Sequence, residues 1–247
     1  MFVIGVAGQA QMGKDTLSDH LANRLNENIA KKVIANSPRK QMPHAYWRRT
    51  AFASNVKKVF CDTFGVDLEF VEKWKTVKDN PPGFNMPMGE SLQFIGDGFS
   101  KIKQSIWLDL IFKEKDEVFI ISDVRYVNEF VRCKEEGGIN ILIGRPDKLN
   151  YDENESESQI RPYVQWCLNN LNPDSKFVSL KDIDWNSFKG IDKPEHINKI
   201  DFFVRNDSNK EDLYKLIDDN LVSFVENYVF EFPSIDEEKE IECLIST

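Results

Sequence analysis

Gly8-Gln9-Ala10-Gln11-Met12-Gly13-Lys14-Asp15-Thr16 is the stretch whose reading decides the fold. A short apolar run, Phe2-Val3-Ile4-Gly5-Val6-Ala7, precedes it, and Leu17, Leu21, Leu25 and Ile29 follow at four-residue spacing. The order reads as buried strand, glycine-bracketed loop and helix. Glycines at both ends let the backbone wrap tightly, so that amide N–H groups converge on one point. The helix adds its unpaired amides and the positive end of its dipole, which together suit a polyphosphate. Lys14 is placed to reach over the β- and γ-phosphates of such a ligand, with Gly8, Ala10, Met12, Gly13, Asp15 and Thr16 around it. The general pattern has Ser or Thr directly after the lysine as a Mg2+ ligand. Here Asp15 stands in that place and the hydroxyl comes at Thr16. A strand–helix turn with a capping aspartate and no ligand is the other reading of the same residues.

At 247 residues the chain could hold one large domain or two small ones, and one α/β domain with insertions is the simpler fit. A net charge of −9 argues against a nucleic-acid-binding protein, which needs a broad basic surface. It does not argue against mononucleotides, which need only a few local cations. Cys61, Cys133, Cys167 and Cys243 match no metal-ligand spacing and read as reduced thiols of a cytoplasmic protein. No apolar run approaches membrane-spanning length. Residues 1–7 read as a core strand and not as a signal peptide.

Beyond the first helix, a polar stretch from Lys31 to Met42 leads to a second strand through Trp47 to Phe52. A helix from Asn55 to Phe64 is expected to bury Val56, Val59, Phe60 and Phe64, and carries Lys57 and Lys58, which are a solvated face unless they meet a ligand. A short helix over Leu68 to Lys75 and a breaker-rich loop at Asp79-Asn80-Pro81-Pro82-Gly83 come next. Leu92, Ile95, Phe99 and Ile102 mark an amphipathic helix over Glu90 to Ile102, and another helical piece begins at Trp107. Glu117-Val118-Phe119-Ile120-Ile121-Ser122-Asp123 is a continuous apolar run ending in an acid, as in a central parallel strand. Ligands bind at the carboxyl edge of such sheets. Asp123 is therefore a candidate Mg2+ holder, directly or through water; its bland alternative is a helix cap. Arg125 and Glu129 share one face of the next helix, as a functional pair or as a surface ion pair.

Ile139 to Gly144 is a fourth strand that delivers Arg145 and Pro146 to the same edge. Residues 147–199 read as a lid with a folded insertion. Ile200 to Val204 is a fifth strand, and a last helix runs from Asn209 to about Tyr228. The domain is thus expected over 1–230, with an acidic tail over 231–247. Strand, loop, helix and strand again give a P-loop α/β fold, a parallel sheet with helices on both faces.

With those residues in place, the chain resembles the deoxynucleoside monophosphate kinases of bacteriophages, from residue 1 to about 225. Gly13-Lys14-Asp15-Thr16 matches the family's phosphate loop, so Asp15 is normal for this branch. Leu92-Gln93-Phe94-Ile95-Gly96 resembles its glutamine-bearing helix, followed by a tryptophan that Trp107 matches. Asp123, Arg125 and Glu129 match an aspartate-x-arginine-x-x-x-glutamate signature. Arg145-Pro146, Ser156-Glu157 and Asn206-Asp207 match shorter motifs after the fourth strand, in the lid and after the last strand. Three positions depart: Asn154 replaces a lid histidine, Gly89 or Glu90 stands where many members have arginine, and Asn55 lies where a proline is usual.

The resemblance implies transfer of the ATP γ-phosphoryl group to a (deoxy)nucleoside monophosphate in the cytoplasm, that of the host if the protein is viral. ATP and Mg2+ are the cofactors, with Asp15 and Asp123 as the candidate metal ligands. Lys14, Arg125 and Asp123 form the implied catalytic set. Arg145, Asn206 and Asp207 extend the ATP site, while Trp107, Glu129, Gln93 and Lys57 join Arg125 around the acceptor. Trp107 is a base-stacking residue or a core tryptophan. Nucleotides are the expected partners, without nucleic acid or membrane, and a homodimer is the candidate assembly. A kinase for another phosphorylated metabolite and an inactive nucleotide-binding module remain open alternatives.

Overall fold

The computed structural model describes residues 2–36, 47–113, 118–149 and 155–230. Pro38, Pro43, Asn154, Cys243, the side chains of Ser156 and Glu157, and the acid-rich tail from Glu231 lie outside the described residues. Strand β1 (Phe2–Ala7) is buried along its whole length between β3 (Val118–Val124) and β4 (Ile139–Gly144). Strand β2 (Arg48–Thr50) lies outside β3, while β6 (Phe202–Arg205) and then β5 (Phe177–Ser179) continue beyond β4. The order β2-β3-β1-β4-β6-β5 is parallel throughout except for the edge pair β5–β6. Fully buried strands such as Phe2–Ala7 and Ile139–Gly144, apolar but for Asn140, suit the middle of a parallel sheet, because both of their faces must be covered. The chain moves to β3 on one side of β1 and to β4 on the other, so a crevice opens at the carboxyl end of β1. This is an α/β architecture of the P-loop kinase type.

Helix α1 (Lys14–Asn36) leaves that crevice and buries Leu17, Leu21 and Leu25, as their spacing predicts. Helices α2 (Phe52–Phe64), α3 (Leu68–Trp74) and α4 (Met88–Ile102) share a small core of Phe60, Val71 and Met88, while α5 (Ile106–Ile111) buries Trp107, Leu108 and Ile111 in the main core. Two details differ from the sequence reading. Helix α2 begins at Phe52, three residues before Asn55, and Phe64 stays 52% exposed at its end. Helix α4 packs through Met88, Ser91, Leu92 and Ile95, leaving Ile102 at its far end 85% exposed. The apolar stripe expected to run to Ile102 therefore stops short of that residue.

Helix α6 (Val127–Glu135) packs on β1 and β4, and α7 (Glu155–Asn170) packs on β4. Helix α7 and strand β5 fall within residues 147–199, where a lid with a folded insertion is expected. Ile160, Tyr163, Val164, Trp166 and Cys167 are all buried in the main core, and β5 extends the sheet. Strand β5 has only three residues, too few to show a period of two. Helices α8 (Lys210–Ile217) and α9 (Ser223–Phe230) flank a single π-type turn at Asp218–Val222, with Leu213, Ile217, Leu221 and Val225 inward. No helix among the described residues is long and apolar enough to cross a membrane. Trp166 packs against Trp185 and Phe188 and is 5% exposed. Trp166→Ala is therefore expected to lower stability by about 3–5 kcal/mol in urea unfolding; a residue of a detached lid would leave the midpoint unchanged.

Candidate nucleotide site

The loop between β1 and α1 is pressed against the ends of two other strands. A Cβ on Gly8, at φ +154°, would meet the Ile143 carbonyl oxygen at 2.6 Å, and one on Gly13, at φ +98°, would meet Asn206 Nδ2 at 2.7 Å. Both glycines are thus required by close approach as well as by backbone conformation. Asn206, at the end of β6, donates its amide to the Met12 carbonyl at 2.9 Å, while its own backbone N–H goes to the Gly144 carbonyl. Met12 is fully buried beneath the loop. Lys14, 7% exposed, donates from Nζ to the Gln9 carbonyl at 2.6 Å. The ammonium is folded back into its own loop.

A cleft of about 350 Å³ opens beside the loop, lined by Gln11, Gly13, Lys14, Asp15, Thr16, Arg145 and Asn206 on one wall. Ser208, Asn209, Lys210 and Leu213 make the other. Its cationic side chains are Lys14, Arg145 and Lys210, against one carboxylate, Asp15. Such a balance suits a polyanion. Arg145 is held by Asp147 at 2.9 Å. The wall from Ser208 to Leu213 is an addition to the sequence reading, although Asn209 caps α8 through the Asp212 amide in the manner its residue type favours. Asp207 does not line the cleft; it pairs with Lys176.

On the other side of β1, strand β3 carries an irregularity. Gly5 is level with Ile121 but Ala7 with Val124, so one extra residue is accommodated around Ser122 and Asp123. Bulges of this kind re-aim side chains at sheet edges. The Asp123 carboxylate turns to α2, accepting from the Phe52 amide at 2.7 Å and the Ala53 amide at 3.0 Å. The N-terminal residue before α2, Ala51, has no capping side chain, and Asp123 supplies one from 70 residues or more away in sequence. Asp123 is a helix cap, but of α2 and not of the helix that follows it. Burial raises its pKa above the ordinary carboxylate range, against those two amides and the nearby charges of Arg125 and Lys14. Both Lys14 and Arg125 are thus close enough to Asp123 for their charges to act on it.

Glu129 is buried on the first turn of α6, and one oxygen, Oε2, accepts from the amides of Arg125 at 2.7 Å and Tyr126 at 3.0 Å. It fixes the backbone that presents Arg125. Burial lifts Glu129 to about 8, with the Asp123 charge adding to the rise and the two amides and Arg125 opposing it.

Three expected acceptor-site residues are engaged elsewhere. The Trp107 indole N–H donates to the Gly96 carbonyl and Ser100 Oγ, both at 3.1 Å, and its ring packs on Phe99. Those contacts are the ones the core-tryptophan alternative calls for. Lys57 pairs with Glu72 of α3, holding that carboxyl below its ordinary range, and so joins α2 to α3. Gln93 lies on the exposed side of α4. Asp15, the other metal candidate, is 73% exposed and bound by Arg49 Nη2 at 3.1 Å. No group of three or more His, Cys, Asp or Glu that could hold a metal occurs among the described residues. Arg49 was not among the sequence candidates, and no motif surrounds it.

No protein-family profile matches the chain. It is 26% identical over 180 residues to a protein of Acanthamoeba polyphaga mimivirus named, provisionally, a deoxynucleotide monophosphate kinase. The match covers 65% of this chain and 83% of the viral protein. That similarity supports a nucleotide kinase in general terms. It comes from a virus of an amoeba, so it does not bear on the bacteriophage origin that the motifs suggested.

The buried carboxyls generate a pH prediction. A carboxyl raised in the folded state keeps its proton there while the unfolded chain loses it, so its contribution to stability is full at low pH and declines as pH rises towards the folded value. For Glu129 the decline spans the interval from the ordinary 4.5 to about 8. Because both amides converge on one oxygen, the carbonyl of a glutamine can replace it. Glu129→Gln is expected to lose less stability than the parent between pH 5 and pH 8 in urea unfolding; equal losses would refute the shift.

Proposed function

We propose that the protein transfers the γ-phosphoryl group of ATP to the phosphate of a (deoxy)nucleoside monophosphate. The observation that carries this reading is the placement of Lys14 between two polar regions. On one side lies the cation-lined cleft, on the other the Asp123–Arg125 edge of β3. ATP belongs in the cleft, its phosphates against the loop amides, Lys14, Arg145 and Lys210. The acceptor belongs beyond Lys14, towards β3.

Phosphoryl transfer asks for positioning and neutralisation of charge more than for covalent chemistry by the protein. An oxygen of the acceptor phosphate bonds to the γ-phosphorus as the bond to the ADP oxygen breaks. Lys14 leaves the Gln9 carbonyl for the migrating group. Arg125, its backbone fixed by Glu129, supplies a guanidinium fork that matches phosphate oxygens. Asp15 and Thr16 at the cleft, with Asp123 on β3, offer the hard oxygen donors that Mg2+ prefers, and Mg2+ needs few protein ligands because it keeps several waters. When bound it supplies charge neutralisation between the β- and γ-phosphates.

A coupled assay of the common NMPs and dNMPs with ATP tests the reading. Turnover of at least one is expected, with Lys14→Ala abolishing it and Arg125→Ala lowering kcat/KM by about 2–4 kcal/mol. Lys14→Ala turning over as fast as the parent would end this assignment, and turnover confined to a phosphorylated non-nucleotide would redirect it to another acceptor.

A further inference from the structure

The cleft opens on the side of the loop that faces the end of β6 and the start of α8. A phosphoryl group leaving ATP therefore departs on the other side, over the ends of β3 and β2. The end of β2 carries a cation that no motif marks. Arg49 donates from Nη1 to Asp19 at 2.7 Å and from Nη2 to Asp15 at 3.1 Å. Asp15 directly follows Lys14, at the position whose side chain in phosphate loops meets the cation between the β- and γ-phosphates. The guanidinium is thus held at the rim of the transfer site.

Its attachment is loose and its base is firm. Asp15 is 73% and Asp19 55% exposed, and exposed ion pairs of this kind add little to stability. The backbone beneath Arg49 is anchored instead: β2 pairs with β3, and the first amides of α2, beginning two residues beyond Thr50, are bound by Asp123. A planar fork on a fixed strand end, held by two solvent-exposed carboxylates, can exchange them for a phosphate at small cost.

We propose that Arg49 binds the phosphate of the acceptor, and that Asp15 and Asp19 hold it at the rim until that phosphate arrives. The proposal rests on the kinase reading above. Arg49 donates N–H groups to the non-attacking oxygens of the acceptor phosphate; it makes no bond to phosphorus and exchanges no proton. A purely structural role, tying β2 to α1, is the competing account of the same ion pairs.

The test uses the full chain, the NMP or dNMP that the parent phosphorylates best, and four proteins: parent, Arg49→Met, Arg49→Lys and Asp19→Asn. Arg49→Met is expected to raise the acceptor KM by about tenfold or more, the scale of a lost charge-assisted hydrogen bond. ATP affinity from calorimetry should stay within about twofold of the parent, and Arg49→Lys should recover part of the loss. Asp19→Asn weakens only the holding contact, so it should lower the acceptor KM by about two- to fourfold. These opposite signs are what a structural tie does not produce. An unchanged acceptor KM in Arg49→Met, a loss of ATP binding in that variant, or a rise of KM in Asp19→Asn overturns the proposal while leaving the kinase reading intact. A parent that phosphorylates no nucleotide overturns both.

Discussion

The amide of Asn206 reaching the carbonyl of Met12, 2.9 Å away and 194 residues on, is the contact on which the site depends. It binds the phosphate loop to the end of β6, while Gly13 lies too close to Asn206 to carry a side chain. The backbone N–H of the same asparagine joins β4 through Gly144. One residue therefore sets the relation among three strand ends. The cleft exists because β6 and α8 stand where they do relative to Gly13 and Lys14. A buried carbonyl without a partner is costly, so the loop is not expected to lift from this position readily.

A second anchor acts on the other side of β1. Asp123 takes the first amides of α2, so the helical group over α2–α5 is tied at its start to a central strand. Two functions compete for that carboxylate. As a cap it satisfies amides that Ala51 cannot, and near Lys14 it is a candidate for the hydration shell of a metal. A carboxylate has lone pairs enough for both, since each oxygen accepts one amide here. On the proposed reading, nucleotide binding and the setting of α2 would be linked through one side chain.

These two anchors also explain what could and could not be read in advance. The loop, β1, α1, β3, β4 and the last helix are local patterns: continuous apolar runs, a four-residue stripe, glycines around a lysine. Their boundaries in the structure fall within a few residues of those expected. Arg125 and Glu129 were expected on one helix face, but Arg125 precedes α6 and it is its backbone amide that Glu129 accepts. The capping of α2 by Asp123 was not, because the partners are brought together by strand order and by an extra residue in β3. Arg49 was hidden for the same reason, since its carboxylates lie on α1, some 30 residues earlier. For residues 147–199, aromatic content alone does not separate a folded insertion from a layer of the core. Burial of Val164 and Cys167 against β4 is a tertiary fact.

The position of Lys14 carries the argument one step further. Its ammonium is nearly buried and holds the Gln9 carbonyl at 2.6 Å, so the loop satisfies its own cation internally. A hydrogen bond to a charged group is worth about 1.5–3 kcal/mol, which any ligand must exceed to draw the lysine out. A triphosphate can do so, because it offers several anionic oxygens and engages the loop amides at the same time. A single carboxylate or a lone phosphate offers fewer such contacts and competes less well. On the proposed reading the folded-back lysine would act as a threshold that favours polyanions, with Arg145 and Lys210 as the other cations of the cleft.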